Sequence, residues 1–453
     1  MNQELDKKIV GYLESRRDDL IREIRNLVGI NSAKGEPAPH APYGPGPRGA
    51  LDYFLELGDL EGFQWEDVGG YCGVLTFPGT GQGDVAALCH LDIVPAGEGW
   101  TRDPFGSSPM EGSRLYGRGT GDNKGPAAAT LFALKALMES GFQPGRNLKL
   151  IAGCDEESGM SDIPHYLAKH PAPEYAFSPD AGFPLVYGEK GHVNATETYR
   201  YAGPSAVKKL YAGEQVNVVP REAVAETALT GLPESDNIRL EKADGLTRIV
   251  ATGRASHAAF PQGGVNAIGI LTEYLTRILP ENDPAYPAVS AISEKIGRAY
   301  DGKALGIACA DDISGEMTLN MGILRGDEKG MELRIDIRYP VTLDPEEGKA
   351  ALIDAFTGLG FSSSVRTTPP LHVPKDSPLV RILSKVYSDC TGDDRPPVTM
   401  GGGTYARTLP RAVAFGPDAG GGAHEADEWV DIDRLLAAAR IYAHAFAQLS
   451  EAE

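Results

Sequence analysis

Val85-Ala86-Ala87-Leu88-Cys89-His90-Leu91-Asp92 opens with five small or apolar residues and closes with two polar side chains two positions apart. A run this short reads as a buried strand, and the period of two puts His90 and Asp92 on one face just past its end. The same arrangement recurs. Leu148 to Ala152 is apolar and delivers Asp155-Glu156-Glu157, and a strand around Tyr175 to Phe177 delivers Asp180. Between them Asp122 to Ser140 reads as a helix, with Pro126 near its start and Gly141 just past its end. Strands alternating with helices predict an α/β fold with a central, mostly parallel sheet and flanking helices.

Working outward, apolar residues at Leu5, Ile9, Leu13, Leu20, Ile24 and Leu27 have helical spacing and predict one amphipathic helix from Leu5 to Val28. The stretch from Asn31 to Gly49 holds Pro37, Pro39, Pro42, Pro45 and Pro47, and is expected to carry no regular structure. Past Gly188 the character changes. Val193 to Tyr199 and Leu333 to Tyr339 alternate in polarity, with an amphipathic helix between them at about Asn266 to Leu279. That mix predicts an inserted α+β domain with antiparallel strands. From Ser377 helix and strand alternate again. The expected organisation is 1–190 and 372–453 as one domain in two parts, interrupted by 191–371.

Composition bounds the function. The chain has 453 residues, 42% hydrophobic and 23% charged, the balance of a soluble globular enzyme. Its formal net charge of −20 repels phosphate backbones and anionic lipid, so neither nucleic acid nor membrane is an expected partner. The N-terminal segment is charged and lacks the apolar stretch of a secretory signal. Five scattered cysteines without a CxxC pair argue against a disulfide framework and a thiolate zinc site. A reduced, cytoplasmic protein is expected.

His90, Asp122, Glu157, Asp180 and His424 are the candidates for metal-ligating chemistry. Imidazole and carboxylate suit zinc, and oxygen-rich mixtures also suit manganese and cobalt. Singly, a histidine at a strand end is most often a packing residue, and an acid in a turn a cap. Asp155-Glu156-Glu157 stacks three carboxylates, which repel unless cations offset them. The run Gly117 to Gly125 is rich in glycine but lacks the Gly-Lys-Ser/Thr ending of a phosphate-binding loop.

Taken together, the segments resemble the dinuclear metallopeptidase family that contains aminoacylase, succinyl-diaminopimelate desuccinylase and the PepV dipeptidases. The matching stretches are Cys89 to Pro95, the run around Asp122, Asp155 to Gly159, Ser178-Pro179-Asp180, Ala255 to Pro261 and Ala423 to Glu428. The intervals from His90 to Asp122, Glu157 and Asp180 are 32, 35 and 23 residues in turn. Gly213 to Pro220, Asp336 to Pro340 and Gly401 to Arg407 are most similar to the PepV-like branch. One departure is Cys154, where relatives more often carry Thr.

The resemblance implies two divalent metals, one held by His90 and Asp180, the other by Glu157 and His424, with Asp122 bridging. It implies a water between them, Glu156 as general base, and Asp92 behind His90 fixing its tautomer. It makes the insertion a lid that brings His257 to the oxyanion, with Asn217, Arg338 and Arg407 contacting substrate. The implied activity is hydrolysis of dipeptides. A deacylase of N-acyl amino acids needs the same metals and base and stays open, as does a non-catalytic binding protein on the same fold. In smaller dimeric relatives the lid is a single dimerisation module, and the partner subunit completes the site. Here 191–371 spans 181 residues, long enough for two such modules, so a monomer is expected.

Overall fold

The structure is a computed structural model and describes residues 2–106, 108–243 and 245–452. Two units separate: residues 1–187, 373–398 and 403–453 form the first, and 188–372 with 399–402 form the second.

The first unit is built on a sheet whose order begins Gln64–Asp67, Cys72–Phe77, Asn147–Gly153, Asp84–His90, Tyr175–Ser178, Ala412–Ala414, Val186–Glu189. The four strands from Asn147–Gly153 to Ala412–Ala414 are parallel, and the pairings on either side of them are antiparallel. Strand Asp84–His90 is buried along its whole length, as a strand with helices on both faces must be. Helix Lys124–Glu139 packs on helix Ile432–Ser450 and on Asp84–His90. It carries a fully buried lysine. Lys124 Nζ donates to the carbonyls of Leu27 at 2.9 Å and Ile30 at 2.7 Å, filling orphan acceptors at the end of helix Arg17–Val28. Burial pulls this ammonium down to about 7.

Two expectations are corrected here. The single N-terminal helix is two, Gln3–Ser15 and Arg17–Val28, broken at Arg16. Leu13 and Leu20 are seven residues apart, two full turns, so apolar spacing alone cannot register the interruption. The proline-rich stretch is also not wholly irregular, since helix Pro45–Leu60 begins inside it. Pro45 and Pro47 fall in its first turn, where backbone N–H groups have no intrahelical partner to lose.

The second unit is an eight-stranded, wholly antiparallel sheet in the order Ile238–Ala243, Leu246–Thr252, Glu222–Thr227, Val207–Ala212, Thr318–Asp327, Gly330–Tyr339, Gly191–Arg200, Ser362–Thr368. Strand Gly191–Arg200 alternates buried and half-buried residues. Its buried Val193 and Ala195 join Leu271, Val289 and Phe356 in one apolar core. Those three come from helices Ala267–Ile278, Tyr286–Lys295 and Pro345–Gly358. The predicted helix at Asn266 to Leu279 thus agrees to within a residue at each end, with Asn266 as its cap.

Candidate metal centre and active site

Parallel strands run the same way, so their C-terminal ends lie along one edge of the sheet. His90 ends its strand, Asp155 to Glu157 follow Asn147–Gly153, and Asp180 follows Tyr175–Ser178. Asp122 sits two residues ahead of helix Lys124–Glu139, and His424 lies in the loop between strands Gly420–Gly421 and Trp429–Asp431 with a left-handed φ of 64°.

These five side chains meet. His90 Nε2 lies 2.9 Å from Asp122 Oδ1 and 3.7 Å from Asp180 Oδ2. His424 Nε2 lies 3.1 Å from Asp122 Oδ2 and 3.2 Å from Glu157 Oε2. Each oxygen of Asp122 therefore faces a different imidazole. Two groups, His90–Asp122–Asp180 and Asp122–Glu157–His424, each bring one donor atom per residue within 4.8 Å of the others. The donor set fits two divalent cations. Glu157 Oε1 is buried without a hydrogen-bond partner among the described residues, and such an atom is costly unless an ion or water meets it.

Electrostatics agrees with that fit. Burial pushes the Asp122 carboxyl up, but hydrogen bonds from His424 and His90 more than offset it and hold it below the usual range. Its neighbours move the other way. Burial and the charge of Asp122 push Asp180 up to about 7 and raise Glu157. Burial raises Glu156 well above the ordinary range. The carboxylates raise His424 to about 11, Asp122 most of all. Crowded acids that resist ionising together are what cations would relieve.

Asp92 acts differently from the simplest expectation. The contact to His90 Nδ1 is made by the Asp92 main-chain carbonyl at 3.0 Å, with the carboxylate at 3.5 Å. An acceptor at Nδ1 keeps the proton there and leaves the Nε2 lone pair toward the cluster. The Asp92 carboxylate instead accepts from the backbone N–H groups of Glu156 at 3.2 Å and Glu157 at 3.1 Å. It thereby holds the turn that presents both glutamates. Among the described residues the Glu156 carboxylate has no hydrogen-bond partner.

Several supporting residues escaped the sequence. Glu428 is fully buried and accepts from Arg118 at 2.6 Å and from the backbone of Gly119, Gly121 and Asp122 at 2.9–3.1 Å. The signal was the glycine-rich run itself, whose bare N–H groups need an acceptor. Asn123 Nδ2 donates to Pro179 O at 2.7 Å and to Asp180 Oδ1 at 3.0 Å. Asp162 accepts from the N–H groups of Cys154 at 2.7 Å and Asp155 at 3.1 Å, and from the Tyr405 hydroxyl. Cys154, the departure from the family pattern, contributes only backbone to that contact and has its thiol near Pro47 O at 3.8 Å.

Beside the cluster is a cavity of about 300 Å³, lined by Asp122, Asp180, Ala181, Asp418 and Gly420 to Ala423. Asp418 is exposed with φ of 49°, and its N–H donates to Ala181 O at 3.3 Å. Arg407 lies in the short 3-10 turn Tyr405–Thr408. The other expected residues belong to the second unit. Asn217 precedes strand Val218–Val219, which pairs with Ser256–His257. His257 is exposed, and its Nδ1 accepts from Ala259 N at 3.0 Å, so a neutral ring carries its proton on Nε2. Arg338 is buried, donating to Asp336 Oδ2 at 2.7 Å and Gly401 O at 3.0 Å, with His192 Nε2 at 2.6 Å.

A family description, peptidase family M20/M25/M40, matches residues 86–448, and the chain belongs to that family. With the two clusters, membership defines a metal-dependent hydrolase acting on peptide bonds, with a dinuclear centre. By sequence the chain is similar to YtjP of Bacillus subtilis strain 168, 36% identical over 96% of this chain and 98% of that one. It is also similar to the Beta-Ala-Xaa dipeptidase of Lactobacillus delbrueckii subsp. lactis, 31% identical over 99% of this chain and 100% of that one. The solved structure of the di-peptidase Dug1p from Saccharomyces cerevisiae shares the fold, with a TM-score of 0.62 at 14% identity over 99% of both chains. No helix among the described residues is long and apolar enough to cross a membrane.

Proposed function

We propose that this protein hydrolyses the peptide bond of dipeptides that carry a free amino terminus. The observation that carries the hydrolytic reading is Asp122 between two imidazoles, 2.9 Å from His90 and 3.1 Å from His424. His90 and Asp180 hold one cation in this proposal, Glu157 and His424 the other, and Asp122 serves both. Zinc suits these donors best, with manganese or cobalt as substitutes. Once bound, the two cations supply Lewis acidity to the scissile carbonyl and acidify water.

The chain's own residues do the rest. Glu156 takes the proton of the attacking water and delivers it to the leaving amine. Asp92 fixes the turn beneath it through two backbone hydrogen bonds. The inserted segment 191–371 is assigned the role of lid, and His257 donates from it to the developing oxyanion. Asn217, Arg338 and Arg407 take the substrate carboxylate, with Asp336 holding the plane of the Arg338 fork.

A free α-ammonium requires an acidic partner, and an N-acyl group does not. Asp418, an exposed carboxylate on the wall of the cavity shared with Asp122 and Asp180, supports the dipeptide over the N-acyl substrate. So do the relatives named dipeptidases. We place the activity in the cytoplasm and in a monomer. The test is to load apoenzyme with zinc, manganese or cobalt and to assay a dipeptide panel beside N-acetyl amino acids. Dipeptides should be cleaved at least tenfold faster in kcat/KM. Faster cleavage of the N-acetyl compounds would make it a deacylase, and no turnover with both ions bound would overturn the proposal.

A further inference from the structure

Within the second unit, Asn217 and His257 sit on neighbouring segments that belong to no large sheet. Val218–Val219 and Ser256–His257 pair over two residues only, and Ala258 N donates to Asn217 O at 2.8 Å. So small a ladder cannot hold its own register. A cavity of about 240 Å³ borders it, lined in part by Val219, Pro261, Asn266, Asn320 and Met321, so packing is thin on that side.

Besides the hydroxyl of Thr318, which donates to Ala258 O at 3.4 Å, a buried amide reaches across to the Asn217 side of the ladder. Asn320, 2% exposed on strand Thr318–Asp327, donates from Nδ2 to Val216 O and to Val218 O, each at 2.9 Å. These carbonyls flank Asn217. The Asn320 Oδ1 is fixed in turn by Asn266 Nδ2 at 3.1 Å. Asn266 also donates to Met321 O at 2.8 Å, while its Oδ1 accepts from Ile268 N at 2.9 Å and caps helix Ala267–Ile278. Thus the donor pair of Asn320 cannot flip without breaking the contact to Asn266. Two glycines let the backbones come this close. A Cβ on Gly322 would fall 2.3 Å from Val216 O, and one on Gly213, whose φ is 65°, would fall 1.9 Å from Gly322 O.

We infer that Asn320 is a positioning residue that sets Asn217 and His257 as one preformed pair, with Asn266 locking its amide. It rests on the roles given above to Asn217 and His257. A buried amide with both donors and its acceptor engaged has one orientation, so the pair it supports meets substrate without first being ordered. Removing it leaves two carbonyls to find water and frees the short ladder to shift register.

The experiment is a double-mutant cycle on metal-loaded, full-length enzyme, with Asn320→Asp and Asn320→Ser each combined with His257→Ala. Asp keeps the volume but presents an anion to two carbonyls, and Ser keeps one donor should Asp not fold. Each Asn320 variant should lower kcat at least tenfold, retain both metal ions and the circular dichroism of the parent, and raise KM through Asn217. Combined with His257→Ala, no further loss of kcat should follow, because the two act as a unit. Additive losses, or full kcat in both Asn320 variants while His257→Ala is slow, would overturn the inference. Unchanged kcat in His257→Ala itself would instead refute the role of His257, so the two failures are distinct.

Discussion

Replacing Glu428 by Gln changes one atom of a side chain that reaches the cavity wall only through the backbone N–H groups of Gly121 and Asp122. The carboxylate links the loop carrying Asp122 to the segment four residues beyond His424, through three backbone N–H groups and Arg118. Arg118 and Glu428 are each about 1% exposed or less. A glutamine can keep its carbonyl toward Gly119, Gly121 and Asp122, but must then turn an amino group toward the Arg118 guanidinium, donor against donor. Breaking a buried pair on one side costs about 3–5 kcal/mol, because the remaining charge is left uncompensated. Part of that cost reaches the cations, since the backbone of Asp122 loses its anchor. Supporting residues of this kind are worth roughly 10–100-fold in metal affinity, or about 1.4–2.8 kcal/mol at 1.4 kcal/mol per tenfold. Zinc titration by calorimetry in a competing chelator should show the weaker binding, and urea unfolding of the metal-free protein the lower midpoint. A variant with the parent's zinc affinity would show that the Asp122 loop holds its shape without Glu428, and the argument would be wrong.

Glu156→Gln should lower kcat by about 10²–10⁴-fold with both ions retained by metal analysis, since the proposed role of the carboxylate is to move protons. Near-normal turnover would remove it as the base. Asp418→Asn should raise KM for dipeptides about tenfold or more and leave N-acetyl amino acid hydrolysis unchanged; equal effects on both would detach it from the ammonium. Glu197 is buried, accepts from Ser363 Oγ at 2.7 Å, and is pushed up to about 7 by burial. An acid raised above its unfolded value of 4.5 contributes stability that is present below pH 4.5 and lost as pH rises through about 7. From pH 5 to 8 the parent should therefore lose about 2–3 kcal/mol more than Glu197→Gln in urea unfolding, and parallel curves would contradict this. Mixing Glu156→Gln with His257→Ala should restore no activity, whereas recovery would show a site shared between chains.

The strands that carry the proposed ligands were legible because burial on both faces leaves a continuous apolar run, as in Val85 to Cys89, with the polar residue at its end. The antiparallel edges were less so, because direction within a sheet leaves no mark on a strand's composition. Local periodicity also could not register the break at Arg16, where the apolar stripe resumes after two whole turns. The start of helix Pro45–Leu60 was hidden because proline forbids a helix interior and favours a first turn. At the site, residues with chemistry of their own stood out. Glu428, Asn123 and Asn320 did not, because their work is to satisfy backbone groups brought near only by the fold. Asp92 was found for its position, while its carboxylate proves to serve the turn of Glu156 and Glu157.

The strand Ala412–Ala414 lies inside the first sheet, between Tyr175–Ser178 and Val186–Glu189. A chain growing on the ribosome therefore cannot finish that sheet until residue 414 has emerged, and His424 follows later still. Residues 188–372 have all emerged well before that point. At roughly 5–20 residues per second, the interval between Glu189 and Ala414 leaves the unfinished sheet open for about 11–45 s. During that interval the half-built edge is exposed to other chains and three acids stand ready without their second imidazole. Residues 412–424 thus close the sheet first and then bring in the second proposed imidazole, so a nascent chain has no finished site of the proposed kind until residue 424 has emerged.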